Sequence, residues 1–310
     1  MSAQPRIAVV IVTYNSADVL AGCLASLPAG ANGVRLTEVV VADNASDDDS
    51  LRIAEEAADL PIRTVQLGRN AGYAAGFNAG VEGLAGYDAV LLMNPDCRLR
   101  PGAIAALAEA LAGSGGSRRG IVAPKLVNQD GSLQPTLRRM PTVRGALAEA
   151  LLGGGRAGRT RGLGELVFDE QAHDTPGDPA WVTGCVLLMS AAALAETGPW
   201  DETFLLYSEE TDFMFRAADH GWTLWYEPAA VVEHIGGEAG THPGLAALLV
   251  TNKVRLFRRR HGRLHSTAYR IAVLLGESLR ALAGRRTARA SLTALLRPST
   301  RINSLAELGK

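Results

Sequence analysis

The sequence predicts an α/β protein: a doubly wound, mostly parallel sheet followed by a helical, basic C-terminal extension. Two observations predict the sheet. Short apolar runs rich in β-branched residues alternate with segments of helical spacing, and the runs lack the polar alternation of a strand with one solvated face. The third observation is the tail from Leu245 onward, which keeps helical spacing and carries many arginines.

The first half of the chain has the clearer pattern. Ile7 to Val12 is a continuous apolar run, and Asn15 or Ser16 is placed to cap the helix that follows. The later strands of this half are predicted at 39–42, 63–66 and 89–93, and the later helices at 46–58 and 74–84. This βαβαβ order favours right-handed crossovers within one sheet.

The second half is less regular. The run Asn128 to Gly131 indicates a turn between short antiparallel strands, and Gly153 to Gly164 is too rich in glycine and arginine to pack, which predicts a mobile loop. Further on, strands are predicted at 181–189, 223–227 and 231–234, and a helix at 209–220.

Length and composition indicate one large folded domain followed by an extension. The chain has 310 residues, of which 47% are hydrophobic and 20% charged, as in ordinary globular proteins. We expect a domain at 1–240, with a first half at about 1–124 and a second at about 125–240, and an extension at 241–310.

Three features bear on location. Cys23, Cys97 and Cys185 are widely spaced, so neither a zinc site nor a disulfide framework is indicated, and a reducing compartment fits best. The N-terminal apolar run lacks a cleavage site, and no stretch reaches the roughly 18 apolar residues of a spanning helix. We therefore expect a cytoplasmic protein, or one peripheral at the inner face of the plasma membrane.

The formal net charge of −1 hides a strong asymmetry. Residues 241–310 hold 14 Lys and Arg but 2 Asp and Glu, whereas residues 1–240 hold 17 and 30. Such a basic segment can dock on an anionic membrane, be a solvated face, or contact the acidic body of a partner subunit. The five arginines that motivate membrane docking are Arg255, Arg258, Arg259, Arg260 and Arg263. Few aromatic residues lie among them, so nucleic acid is not expected as a partner.

Polar side chains follow successive predicted strands where each strand ends. They are Thr13, Tyr14, Asn15, Asp43, Asn44, Asn94 and Asp96. In an open parallel sheet ligands bind beyond the carboxyl ends of the strands, so these side chains are expected to line one crevice. Any one of them alone would be interpreted as a helix cap or a turn residue. Their coincidence at three strand ends is what predicts a site.

The sequence lacks the main motifs of two classes of nucleotide-binding protein. The first strand is not followed by GxGxxG, which disfavours a dinucleotide-binding domain, and GxxxxGK[ST] does not occur. A sugar nucleotidyltransferase would need a basic, glycine-rich loop after the first strand, and residues 13–16 provide neither feature.

Several ordered blocks carry a resemblance. They read VVIVTYNS from Val9, VADNASD from Val41, GRNAGYAAGFN from Gly68, LMNPD from Leu92, GPWDETF from Gly198 and YSEETDFMFR from Tyr207. In this order they resemble the GT-A family 2 glycosyltransferases over about residues 7–235. The match is strongest to the bacterial rhamnosyltransferase branch, in which Asn-Pro-Asp replaces Asp-x-Asp.

The resemblance implies a donor site with a divalent cation. Asp96 matches the family's metal-binding aspartate and His234 a further ligand for Mg²⁺ or Mn²⁺, the cation that neutralises a nucleoside diphosphate leaving group. A lone histidine at a strand end can equally be structural. The positions implied for nucleotide-sugar binding are Thr13, Tyr14, Asn15, Asp43, Asn70, Asn94 and Asp96, with Asp43 at the pyrimidine.

The resemblance also implies a general base at the start of a helix. Glu210 stands where the family usually has aspartate, so it is expected to accept the proton of the acceptor hydroxyl. Asp212 belongs to the same catalytic sequence block and is expected to have a structural role. The alternative is that acids in a first helical turn only favour the helix dipole, with Asp212 and Arg216 as an i,i+4 pair. Trp181 and Gly184 are expected at the acceptor pocket, although a tryptophan there can also belong to the core.

Together these observations predict an inverting glycosyltransferase that uses a nucleotide-diphosphate sugar. The donor expected first is dTDP-L-rhamnose, with transfer to a cell-envelope glycan or lipid-linked acceptor. The alternatives are a hexosyltransferase with another UDP-, dTDP- or GDP-sugar, a carbohydrate-binding protein without activity, and a sugar nucleotidyltransferase.

Overall fold

The computed structural model describes residues 4–113, 118–160, 162–236 and 242–305, and its centre is an eight-stranded sheet. The strands in chain order are β1 Arg6–Thr13, β2 Arg35–Asp43, β3 Ile62–Gln66, β4 Ala89–Met93, β5 Cys97–Leu99, β6 Arg119–Val127, β7 Leu137–Arg138, β8 Trp181–Val182, β9 Val186–Ser190 and β10 Thr223–His234. The sheet order is β3-β2-β1-β4-β9-β6-β10-β5, and β7 pairs with β8 apart from it. Strands β3, β2, β1 and β4 are parallel, as are β6 and β10, whereas β9 and β5 are antiparallel to their neighbours.

Helices cover both faces of the sheet and form the C-terminal region. Their bounds are α1 Ala17–Gly30, α2 Ser50–Glu56, α3 Tyr73–Val81, α4 Ala103–Ala112, α5 Val143–Leu152, α6 Gly154–Arg159, α7 Glu170–His173, α8 Ala191–Thr197, α9 Glu209–Asp219, α10 Pro243–Arg260, α11 Arg263–Leu282 and α12 Arg286–Leu296. The prediction of an α/β fold with a mostly parallel sheet and a helical C-terminal region is confirmed.

Two apolar cores lie on opposite faces of the sheet. On one face, Leu20 and Leu27 of α1 and Leu107 of α4 pack with alternate residues of β1 and β4. On the other, Phe77 of α3 and Phe213 of α9 pack with the intervening residues. Since β1 and β4 are buried on both faces, their sequences are continuously apolar, as predicted.

The predicted strand at 181–189 is wrong as a single element. Trp181–Val182 pairs with β7, and the chain then turns over residues 183–185 before Val186–Ser190 enters the main sheet. Gly184 is the reason the turn can form here, because its backbone lies against the side chain of Glu210. A strand glycine commonly marks such a close approach.

The expectation that residues 153–164 cannot pack is also wrong. Gly154–Arg159 is helical, and Ala157 is fully buried. The carbonyl groups around it are satisfied by one guanidinium: Arg139 donates to the carbonyls of Leu163, Gly164 and Leu166 at 3.2–3.3 Å. A segment rich in glycine can therefore pack, because an arginine from another segment satisfies its backbone. Arg161 lies outside the described residues.

The C-terminal helices pack on the body and on α5. Phe257 of α10 stacks on Tyr269 of α11 with 3.9 Å between ring centroids, next to Ala146 of α5. Leu256 packs with Phe204 and Phe215. The expected boundary between residues 240 and 241 lies outside the described residues. Within the described part of the chain, no helix combines the length and apolarity that crossing a membrane requires.

Three of the five arginines expected to face a membrane contact the body of the same chain. Arg255 donates to the carbonyl of Thr203 at 2.7 Å. Arg259 pairs with Asp201 at 2.7 Å and with Asp212 at 3.2 Å, and Arg260 pairs with Asp219 at 2.6 Å. Part of the charge asymmetry is therefore neutralised within one molecule.

Candidate active site

The carboxyl ends of β1 and β2 meet at a buried hydrogen-bonded pair. Thr13 and Asp43 are register partners, and the Thr13 hydroxyl donates to Asp43 Oδ1 at 2.8 Å. Ser46 donates to the same carboxylate from its hydroxyl at 2.5 Å and from its backbone N–H at 2.8 Å. Because Thr13 and Asp43 have no exposed surface, they lie beneath the crevice and fix the turn at Ser46.

The rim of the same crevice is formed by Tyr14 and Asn15. The Tyr14 side chain is 46% exposed. Asn15 adopts φ 48°, a left-handed conformation that asparagine tolerates better than most residues, and its side-chain oxygen accepts from the Asp47 N–H at 2.9 Å. Asn15 thus holds the β1 and β2 loops together and leaves Tyr14 accessible.

Asn70 and Asn94 approach this crevice from two other loops. Asn70 Oδ1 is buried and has no hydrogen-bond partner among the described residues. Asn94 Oδ1 accepts from the Tyr73 hydroxyl at 2.6 Å. Asn44, which the sequence placed at a strand end, accepts from the Ala71 N–H at 3.1 Å and so positions the loop that carries Asn70.

Asp96 and His234 form the pair of potential metal ligands. His234 Nε2 lies 3.3 Å from Asp96 Oδ2, and Asp96 Oδ1 is buried without a partner among the described residues. Strands β10 and β5 bring the two residues together because His234 is the register partner of Cys97. His234 Nδ1 donates to Gln134 Oε1 at 2.7 Å, which leaves Nε2 directed at the carboxylate.

The side chains of His234 and Asp96 shift each other's pKa values. Burial is the largest single cause and lowers the pKa of His234, but the hydrogen bonds and charges of Asp96 and Cys185 together outweigh it and raise the pKa to about 10. Burial favours a neutral Asp96, yet the hydrogen bond and the charge of His234 hold its pKa below the usual value. Asp96 is therefore a carboxylate, and a divalent cation at this place would replace the His234 proton.

These residues fit a hard divalent cation. Asp96, Cys97 and His234 each offer a ligand atom within 4.8 Å of the others. Burial raises the pKa of Cys97 well above its usual value, so its sulfur stays a neutral thiol. Carboxylate oxygen and imidazole nitrogen remain, and the unpartnered Asp96 Oδ1 is the atom best suited to a Mg²⁺ or Mn²⁺ ion.

Two glutamates begin α9. Glu209 and Glu210 each have a side-chain oxygen that is buried without a partner among the described residues. Burial is the main cause that raises both pKa values, and the adjacent charge raises that of Glu209 further, well above the ordinary value. Two like charges so close do not both ionise readily, so Glu210 is the one that ionises while Glu209 keeps its proton.

Glu210 lines a cavity of about 370 Å³, which we call the inner cavity; Arg138, Trp181 and Tyr207 line it too. Trp181 Nε1 donates to the Arg139 carbonyl at 3.1 Å, which fixes the ring at the cavity wall. Gly184 is not part of this wall. A Cβ at Gly184 would lie 2.7 Å from Glu210 Cβ, so this glycine provides room for the glutamate.

Asp212, the other acid of this block, is held by two arginines. Arg216 Nε lies 2.8 Å and Arg259 Nη1 3.2 Å from its carboxylate. The predicted i,i+4 pair with Arg216 is confirmed. Because both carboxylate oxygens are engaged, Asp212 anchors α9 to α10.

The loop before Glu209 has an unusual backbone. Leu205, Tyr207 and Ser208 have φ values of 63°, 69° and 76°. Such conformations are costly outside glycine and persist only where surrounding contacts hold them. The contacts come from Asn252 of α10, whose side-chain amide donates to the carbonyls of Phe204, Leu206 and Tyr207 at 2.7, 2.9 and 3.2 Å.

Sequence reasoning missed Asn252, Arg138 and Lys253. Lys253 is paired with Glu149 and Glu165 in the wall of the inner cavity. Asn252 left a usable signal: with Leu248 and Leu256 it forms a buried i,i+4 row, and a polar residue inside an apolar row needs a partner. For Arg138 and Lys253 no such signal exists, because their partners come from distant segments.

Two consecutive residues, Gly184 and Cys185, contact the glutamate at the start of α9 and the potential metal ligand His234. Gly184 lies against Glu210, and Cys185 Sγ lies 3.9 Å from His234 Nδ1. One short turn thus contacts both Glu210 and His234.

The sequence of this chain is similar to those of known proteins. Residues 8–140 match the family described as Glycosyl transferase family 2. Over 245 residues the chain is 31% identical to an N-acetylglucosaminyl-diphospho-decaprenol L-rhamnosyltransferase of Mycobacterium tuberculosis (strain CDC 1551 / Oshkosh), covering 73% of this chain and 75% of that protein. The protein of the same description from strain H37Rv matches equally.

Solved structures share the fold at low identity. The mannosyltransferase PcManGT from Pyrobaculum calidifontis, in complex with GDP-Man and Mn²⁺, has a TM-score of 0.59 at 18% identity, covering 96% of this chain and 82% of that one. GalNAc-T7 with UDP, GalNAc and Mn²⁺ has a TM-score of 0.58 at 15% identity, covering 82% and 47%.

The fold, the strand-end crevice and these relatives define a glycosyltransferase that uses a nucleotide-sugar donor. The chain belongs to glycosyltransferase family 2, with the GT-A fold, and resembles the rhamnosyltransferase branch.

Proposed function

We propose that the protein transfers L-rhamnose from dTDP-L-rhamnose, with inversion, to a hydroxyl of a lipid-linked cell-envelope glycan. The M. tuberculosis relative, described as acting on N-acetylglucosaminyl-diphospho-decaprenol, supports both the sugar and the acceptor class. The observation that carries the reaction type is the turn at residues 183–185, which contacts both Glu210 and His234 of the Asp96–His234 pair.

Inversion takes one in-line displacement, so one base has to accept the acceptor's proton. Glu210 fits this role because it lines the inner cavity and burial raises its pKa, which makes the carboxylate a stronger base. Asp212 anchors α9, as its arginine contacts indicate. Trp181 offers a ring face to the acceptor sugar, and Gly184 positions Glu210.

The donor side is divided among the strand-end residues. Tyr14 and Asn15 border the base and ribose, and Asn70 and Asn94 border the sugar diphosphate, while buried Thr13 and Asp43 fix the Ser46 turn beneath the pyrimidine. Asp96 and His234 would hold a Mg²⁺ or Mn²⁺ ion, which neutralises the charge that develops on the leaving diphosphate.

A donor panel tests this proposal. The purified protein is assayed with dTDP-rhamnose, UDP-glucose, UDP-galactose and GDP-mannose, with nucleoside diphosphate release as the readout and a polyprenyl-diphosphate-linked N-acetylglucosamine as acceptor. We expect acceptor-dependent release with dTDP-rhamnose. Preferred turnover of another donor would establish the hexosyltransferase alternative, and no release from any donor would refute the transferase proposal.

A further inference from the structure

A second depression of about 560 Å³, which we call the outer groove, lies beside the inner cavity between α5, α6 and α11. Ala150 and Arg280 line both spaces, so the two are adjacent. Glu210 therefore lines a cavity that lies next to the outer groove beside α6.

The outer groove is strongly cationic. Arg156, Arg159, Arg280 and Arg285 line it, and no acidic residue does. Arg280 is paired with Glu277 at 2.6 Å, and Arg159 lies over the Phe168 ring. The exposed Arg156 and Arg285 make no side-chain hydrogen bond or ion pair with any residue that the structure describes. Two guanidinium groups are thus free to bind an anion.

The wall beside these arginines is apolar and open to solvent. Leu151 and Leu152 of α5 are 62% and 46% exposed, and Leu279 of α11 is 42% exposed. On the same helix Leu275 and Leu282, one turn to either side of Leu279, are 37% and 84% exposed. Several exposed leucines next to free arginines suit a ligand that is anionic at one end and apolar at the other.

We infer that the outer groove binds the diphosphate and the first lipid units of a lipid-diphosphate-linked acceptor, whose sugar then lies in the inner cavity facing Glu210. Arg156 and Arg285 bind the diphosphate oxygens, and the leucines of α5 and α11 contact the lipid. The inference rests on the proposed function, and it assigns the lipid-diphosphate part of the acceptor to residues outside the family-matched segment, 8–140.

Direct binding of farnesyl diphosphate tests the inference without requiring turnover. Calorimetry is done with excess dTDP and Mg²⁺, so that the donor site is filled, on wild type, on the double variant Arg156→Ala/Arg285→Ala, and on Leu151→Ser. We expect the double variant to raise the Kd for farnesyl diphosphate by at least about tenfold, since two charge-assisted contacts are lost. Leu151→Ser should weaken farnesyl diphosphate but leave inorganic diphosphate unchanged.

Arg289→Ala is the matched control, because Arg289 is an exposed arginine of α12 outside both spaces. It should bind farnesyl diphosphate as the wild type does. Equal Kd values for the double variant and the wild type would overturn the inference. So would capture by phosphatidylglycerol vesicles without binding of farnesyl diphosphate, which would indicate a membrane headgroup surface. Nucleoside diphosphate release by the wild type decides the transferase proposal separately.

Discussion

At the residue scale, the site depends on what burial does to individual carboxyl groups. Asp96 stays charged because the hydrogen bond and the charge of His234 oppose the effect of its burial, whereas burial raises the pKa values of Glu209 and Glu210. Similar side chains thus differ in chemistry because their neighbours differ.

The first prediction concerns Glu210. Glu210→Gln should lower kcat by about 10²- to 10⁴-fold while leaving dTDP affinity intact, because glutamine keeps the size but cannot accept a proton. Glu210→Asp should retain substantial activity. Both variants are measured as folded protein by nucleoside diphosphate release and calorimetry. Near-normal turnover of the Gln variant would move the role of base to another group.

The pH profile provides an independent check on the same residue. The folded-state pKa of Glu210 lies above its ordinary value of 4.5, and only the ionised form is a base. Turnover is therefore expected to fall as pH decreases through an inflection above 4.5, and to be constant well above it. The Gln variant should lack this inflection.

The second prediction concerns Asp96. Removing a group that neutralises leaving-group charge costs about 10²- to 10³-fold in rate, so Asp96→Ala should show that loss. Excess EDTA should abolish wild-type turnover, and Mg²⁺ or Mn²⁺ should restore it. Full activity in EDTA would contradict the assignment of Asp96 and His234.

At the element scale, α10 supports the segment that carries Glu210, although it follows that segment in sequence. Its Asn252 holds the three carbonyls of the loop before Glu209, and its Arg259 holds Asp212 of α9. The loop before α9 and Asp212 in the first turn of α9 are thus both held by α10.

The third prediction tests this dependence. Asn252→Ala leaves buried carbonyls unpaired, at a cost of about 1–3 kcal/mol in stability. We also expect kcat to fall about tenfold, with little change in donor KM, because Glu210 is less well positioned. Thr251→Ala is the control, since Thr251 bonds only to carbonyls of its own helix. If both variants lose activity equally, Asn252 has no specific positioning role.

At the scale of the whole molecule, the acidic body and the basic tail partly neutralise each other. Arg255, Arg259 and Arg260 contact the body, whereas Arg258 and Arg263 are exposed and have no side-chain partner in the described part of the chain. The surface left for an anionic membrane is therefore smaller than the sequence alone suggested.

The fourth prediction is that the protein binds anionic vesicles weakly. Each basic residue near such a surface contributes about 1 kcal/mol, so Arg258→Glu/Arg263→Glu should release the protein. The measurement is flotation with phosphatidylglycerol and with phosphatidylcholine vesicles at low and high salt. Failure to float with either lipid would argue against membrane docking.

The sequence by itself determined the fold class and most of the crevice. Continuous apolar runs identify buried strands, and strand ends in a parallel sheet converge at one edge, so Thr13, Asp43 and Asp96 could be placed from local pattern alone. Glu210 was predicted as the base from the ordered blocks, which again depend on local sequence.

Only the tertiary structure decided which residues support that site. The turn at 183–185, the Asn252 contacts, the packing of 154–159 and the outer groove all join segments that are far apart in the chain. Periodicity and caps report what a residue does within its own element, whereas these features depend on which partner another element provides. Arg156 and Arg285 carry no local signal for that reason: they line the same groove because α5, α6 and α11 lie next to one another.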